Sequence, residues 1–137
     1  MKNKTPLLLI EQAIMLLILI LAGALCLRLF AWSDASAAEN KNRDNAILQL
    51  QSAAEVLKYH HGDFSAAAKT HGGHTSLEQW HITFDANWRQ TDGDPAFQLR
   101  AIRQQAPPYL GCALLELLEP NGTVLEALTV CWQEDAP

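Results

Sequence analysis

Hydrophobic and polar positions divide this chain into stretches with different periods. Leu7 to Trp32 is almost wholly apolar, broken by Glu11-Gln12 near its start and Arg28 near its end. Between Ala13 and Leu27 there is no polar side chain apart from the soft thiol of Cys26. Ala13 to Trp32 is 20 residues, about 30 Å of helix, enough to cross a bilayer core. Arg28 is late enough to snorkel toward headgroups, and Trp32 is an interfacial aromatic.

The pattern then changes. Ser33 to Asn45 is polar and Ala-rich, with Glu39 and Arg43 spaced i,i+4 in the favourable order for a helix pair. This polar middle is a place for a bend or a melted stretch. Ile47, Leu50, Ala54 and Leu57 recur at intervals of three and four, which predicts an apolar stripe on one helical face. Gly62 is a stop signal, with Lys58, His60 and His61 near the helix's negative end. A helix from Leu7 to Tyr59 would run about 80 Å.

Beyond it, Phe64 to Thr75 reads as a loop or one short Ala-rich helix ending at Gly72-Gly73. Trp80 to Trp88 alternates strictly and predicts a half-buried strand, stopping near Asp85 with Trp88 left in the turn. Thr91 to Pro95 is turn chemistry, Ala96 to Arg103 the next strand, and Pro107-Pro108 a break. Two further β-capable runs flank Asn121-Gly122, a strong hairpin signal. A two-residue turn there sets Leu118 opposite Leu125, Leu114 opposite Thr129 and Cys112 opposite Cys131.

The expected fold class is α+β: a long N-terminal helix, transmembrane in its first half, packed on a small antiparallel sheet of about four strands. The expected organisation is a short basic leader (1–6), a transmembrane half of the helix (7–32), an amphipathic extracytoplasmic half (33–61), and a loop and sheet region (62–137).

Charge adds a direction. Residues 1–32 carry Lys2, Lys4 and Arg28 against Glu11, whereas the remainder holds 14 acidic and 7 basic side chains. Lysines before the span keep the N-terminus cytoplasmic and the acidic part outside. That acidic part repels phosphate backbones, so direct nucleic-acid binding is not expected. A secretory signal is the rival reading, with Ala35-Ser36-Ala37 offering cleavage between Ala37 and Ala38. The apolar run exceeds a typical signal core, which favours a retained anchor.

Neither reading explains Glu11. A carboxylate in mid-span costs on the order of 2.5–3.5 kcal/mol on insertion scales, less toward the edge. Either Glu11 rests in the headgroup layer or it has a partner. Leu7-Leu8-Leu9-Ile10-Glu11 resembles the mature start of type IV pilins and type II secretion pseudopilins. The resemblance implies a leader from Met1 to Pro6, a new N-terminus at Leu7, and Glu11 meeting the freed amine of a neighbouring subunit. The family leader ends in Gly where this chain has Pro6, so processing by a prepilin peptidase at the Pro6–Leu7 junction stays open. Gln49 to Lys58, His60 to Phe64, Phe84 to Trp88 and Leu128 to Gln133 are similar to Gram-positive pseudopilin-like proteins. The resemblance implies assembly with other pilin-like subunits in a pilus or a secretion or DNA-uptake pseudopilus, and Pro6 at the processing site makes a minor or initiating member more natural than a major one. The other functional class is a secreted or surface-anchored binding domain.

Facing Cys112 and Cys131 would sit about 5.5 Å apart between Cα atoms at a hydrogen-bonded position, within disulfide reach. Outside the cytoplasm the bond would persist; otherwise two small residues simply pack there. Cys26 lies in the span. His60, His61, His71 and His74 match no standard zinc spacing. Trp80, Phe84, Trp88 and Trp132 suit a core under the sheet better than a ligand cage. No nucleophile has a recognisable base beside it, so neither enzyme activity nor a cofactor is expected.

Overall fold

The computed structural model describes residues 4–134. The expected leader's Met1, Lys2 and Asn3 lie outside the described residues. The chain forms two compact units, Met1–Lys41 and Asn42–Pro137.

Helix α1 runs without interruption from Thr5 to Tyr59. It starts before Leu7 because Pro6 falls in the first turn, where its missing N–H would have had no helical acceptor anyway. The expected bend or melted stretch at Ser33–Asn45 is absent. Ala35, Ala37 and Ala38 lose little entropy on becoming helical, and most polar side chains there stay exposed. Arg43 does not reach back to Glu39; it pairs with Glu126 at 2.7 Å.

The helix ends at Tyr59, as expected from the stop signal at Gly62. The Gly62 N–H donates to the Leu57 carbonyl at 2.9 Å and the His61 N–H to the Lys58 carbonyl at 3.1 Å. That is a Schellman ending, with His61 in the left-handed position at φ 50° and Gly62 following at φ 78°. A Cβ on Gly62 would stand 2.0 Å from the Trp132 ring, so a side chain is excluded twice over. Asp63 then caps the next helix, α2 (Phe64–His71), by accepting from the N–H groups of Ser65 and Ala66.

Five antiparallel strands follow, β1 (His74–Ser76), β2 (Gln79–Phe84), β3 (Phe97–Gln104), β4 (Leu110–Leu118) and β5 (Val124–Gln133), hydrogen-bonded in chain order. The strand not expected is β1, too short to show a period of two. As expected, β2 stops before Asp85, and Trp88 lies in the β2–β3 turn at φ 63°. There the Trp88 ring stacks on Phe97 at 4.2 Å between centroids.

One core joins the end of α1, α2 and one face of the sheet. The sheet supplies bulk through Trp80, Ile82, Phe84, Leu99, Leu115 and Leu117, while α1 supplies mostly small residues, Ala46, Ala53 and Ala54 with Leu50 and Leu57. Large against small fills the layer at interior density. The stripe differs from the expected one. Ile47 is 40% exposed, and Ala46 and Ala53, both fully buried, take the inward positions. Hydrophobicity alone overrates Ile47, because the helix turns Ala46, Leu50, Ala53 and Leu57 to the sheet and leaves Ile47 at the edge of that face.

Ala53→Leu should therefore lower the unfolding free energy by about 1–3 kcal/mol through overpacking. Ile47→Ala should change it by no more than about 0.5 kcal/mol. Urea unfolding of the detergent-solubilised chain checks both.

Candidate functional site

Two features bear on function: the unburied N-terminal part of α1 and the outer face of the sheet. In the first, Leu7, Ile10, Leu19, Leu27, Phe30 and Trp32 are all 59% exposed or more. An apolar window long enough to cross a bilayer has no buried residue. Side chains this apolar on every side of a helix need an apolar surround, from lipid or from other helices. Glu11 lies one helical turn inside this surface, exposed like its neighbours. Pro6 and Leu7 occupy the first turn, so the candidate processing junction is helical. Ala37 and Ala38, the alternative cleavage site, also lie within the unbroken helix.

Cys112 and Cys131 are bonded, with 4.1 Å between their Cα atoms. That spacing belongs to the narrow, non-hydrogen-bonded position of an antiparallel pair rather than the 5.5 Å position expected. The cysteines do face one another, but the turn that puts them there is not the two-residue turn expected. The Gly122 N–H donates to the Glu119 carbonyl, and the Glu119 N–H to the Thr123 carbonyl, both at 2.9 Å. Pro120 and Asn121 take the central positions of that turn and Gly122, at φ 85°, follows them. Proline's fixed negative φ suits this arrangement. The longer turn shifts the pairing by one, so Leu118 faces Val124 instead of Leu125. An irregularity at Leu117/Leu118 then shifts it back, and Leu114–Thr129 and Cys112–Cys131 pair in the expected register. Two one-residue offsets cancel.

The disulfide lies on the sheet face away from α1, together with an ion pair that sequence reasoning missed. Arg100 donates to Glu116 at 2.6 Å from neighbouring strands. Both residues sit in alternating strands, but only the strand pairing sets them side by side. His81 stands opposite Arg100 on β2. Burial and then the Arg100 charge hold the His81 imidazole below its ordinary pKa of 6.5. On the core side, His71 packs edge-on against Trp80 at 6.0 Å, and burial lowers its pKa too. Arg103 is a further unpredicted anchor. It donates to the Gly62 carbonyl at 2.9 Å, with its guanidinium about 6 Å from the Phe64 and Trp132 rings.

The remaining histidines separate. His60 contacts Thr70 Oγ1 at 2.9 Å and His74 contacts Asp92 at 3.2 Å. Among the described residues, no three His, Cys, Asp or Glu side chains converge where a metal ion could be held. Comparisons with protein-family models, with curated proteins and with solved structures found no match to this chain.

Removing the disulfide by Cys112→Ala with Cys131→Ala should lower stability by about 2–4 kcal/mol. The urea midpoint of the wild type under reductant should fall to a similar value, and the variant's should not respond to reductant. Acid should also destabilise. The unfolded imidazoles titrate near 6.5 and the folded ones lower, so in between the unfolded state binds more protons. The stability of neutral His71 and His81 is complete above 6.5 and is lost as pH falls through the folded values. A urea-midpoint series across that window should decline toward acid, and His71→Gln with His81→Gln should flatten it.

Proposed function

We propose that this chain is a pseudopilin-like, single-pass membrane subunit that assembles with other pilin-like subunits through its N-terminal helix. One observation carries the reading. An unbroken helix, apolar on all sides and unburied, holds a carboxylate one turn inside its leading edge and continues into a small antiparallel α+β domain. A simple anchor only has to rest Glu11 in the headgroup layer, whereas a bundle of such helices puts the carboxylate to use, because a neighbour can supply its complement. On this reading the N-terminus is cytoplasmic and the acidic, disulfide-bonded domain is extracytoplasmic, where its disulfide is chemically at home. The work is assembly in a type IV pilus or a secretion or DNA-uptake pseudopilus, with no catalysis and no cofactor. The acidic sheet domain argues against a direct role in holding nucleic acid.

The α+β domain supports the reading in a second way. Its core is closed by its own helix face and sheet, so the apolar length from Leu7 to Trp32 is surplus to folding. Surface that does not serve the fold is surface available for association.

Glu11→Ala should leave the chain in the membrane but reduce chemical crosslinks to partner subunits to a small fraction of the native level. N-terminal sequencing of the protein from its native membrane accompanies the test. Native-level crosslinks in the variant would remove the mechanism. A mature chain starting at Ala38 would replace it with a secreted binding domain.

A further inference from the structure

Between Lys4 and Asp34 the helix carries one acidic and one basic side chain, Glu11 and Arg28. Both are exposed, and among the described residues neither has an ion-pair partner. One chain cannot pair them. They are 17 residues apart on an unbroken helix, about 25 Å along its axis. In a lone membrane-embedded copy each can snorkel to its own headgroup layer. A copy that moves outward along the helix axis carries Glu11 off its layer and through the apolar region. It next meets an opposite charge at the level of Arg28 in a copy that has not moved.

We propose that Glu11 of one copy pairs with Arg28 of a parallel neighbouring copy displaced along the helix axis by about 25 Å. The inference rests on the assembly reading and gives it a register. The partner of Glu11 is then a guanidinium side chain, which needs no processing at the Pro6–Leu7 junction. A guanidinium fork also suits a carboxylate in a water-poor setting, since it can donate two parallel hydrogen bonds.

The surroundings match at this displacement. Leu8 and Met15 flank Glu11 on its face at i−3 and i+4, and Leu25 and Trp32 flank Arg28 in the same way. Leu8 comes level with Leu25, and Met15 with Trp32. All four are more than half exposed in the single chain. Apolar side chains therefore meet above and below the charge pair and exclude water from it. Around the helix, Glu11 and Arg28 point about 100° apart, from seventeen steps of about 100° each. A copy can thus offer Glu11 to one neighbour and Arg28 to another at once. A contact between two different surfaces with an axial displacement does not close into a ring; repeated, it builds an open filament.

The test uses the full-length chain in its native membrane with Cys26→Ala, Leu8→Cys and Leu25→Cys. The two new thiols cannot meet within one helix. Oxidation should give a ladder of dimers and higher multimers. Glu11→Arg or Arg28→Glu alone should cut the ladder about tenfold or more, a differential of about 1.4 kcal/mol. The double swap Glu11→Arg with Arg28→Glu should restore it. A second chain with Leu8→Cys and Gln12→Cys reports the short displacement that would bring a Leu7 amine to Glu11. A ladder from that chain alone, or one indifferent to Arg28→Glu, overturns the pairing and leaves assembly standing. The absence of a ladder from both chains overturns the pairing between copies, while assembly with other pilin-like subunits is decided by the Glu11→Ala crosslinks.

Discussion

Packing of the face Ala46, Leu50, Ala53, Ala54 and Leu57 against the sheet is the interaction on which the folded domain depends. A sheet of short strands has one apolar face and must cover it. Here the cover is mostly alanine, so the sheet can keep Trp80, Phe84 and Trp132 in the same layer. Ile47, at the edge of this face, stays 40% exposed.

Around that layer the polar contacts mark its margins. Arg43 on α1 reaches Glu126 on β5, and Trp88 Nε1 donates to Asn42 at 3.4 Å. Arg103 ties the loop after α1 to the Trp132 side of the core. Gly62 and Gly111 both lie against the Trp132 ring, leaving room for an indole where any Cβ would collide. These contacts set where α1 stops and how β5 lies, and they leave the core itself without a buried charged or polar residue among those described.

The N-terminal part of α1 obeys a different constraint. Its apolar residues have no protein to pack against, so its stability as a helix rests on satisfying its own backbone and on an apolar surround. In such a surround two opposite charges become the features that discriminate one neighbour, and one register, from another. Leucine and isoleucine on all sides provide adhesion but little register, because one turn of such a surface resembles the next. In the assembly proposed here, Glu11 and Arg28 break that degeneracy.

Much of this was legible in the chain itself. The apolar run from Leu7 to Trp32, the α+β class, the strand at Trp80–Phe84 and the facing of Cys112 and Cys131 follow from periodicity and turn residues, which are local properties. The continuity of α1 through Ser33–Asn45 was legible in part, since alanine favours helix while the polar pattern suggested a break. What the tertiary structure alone decided were matters of partnership across the chain. It turned Ala46 and Ala53 inward instead of Ile47, sent Arg43 to Glu126, paired Arg100 with Glu116, and set the added strand β1 beside β2. It also showed that the hairpin register survives a longer turn because a second irregularity cancels the first. Periodicity records which face a residue prefers, whereas size matching and charge pairing depend on what stands opposite, and that is known only once the elements have packed.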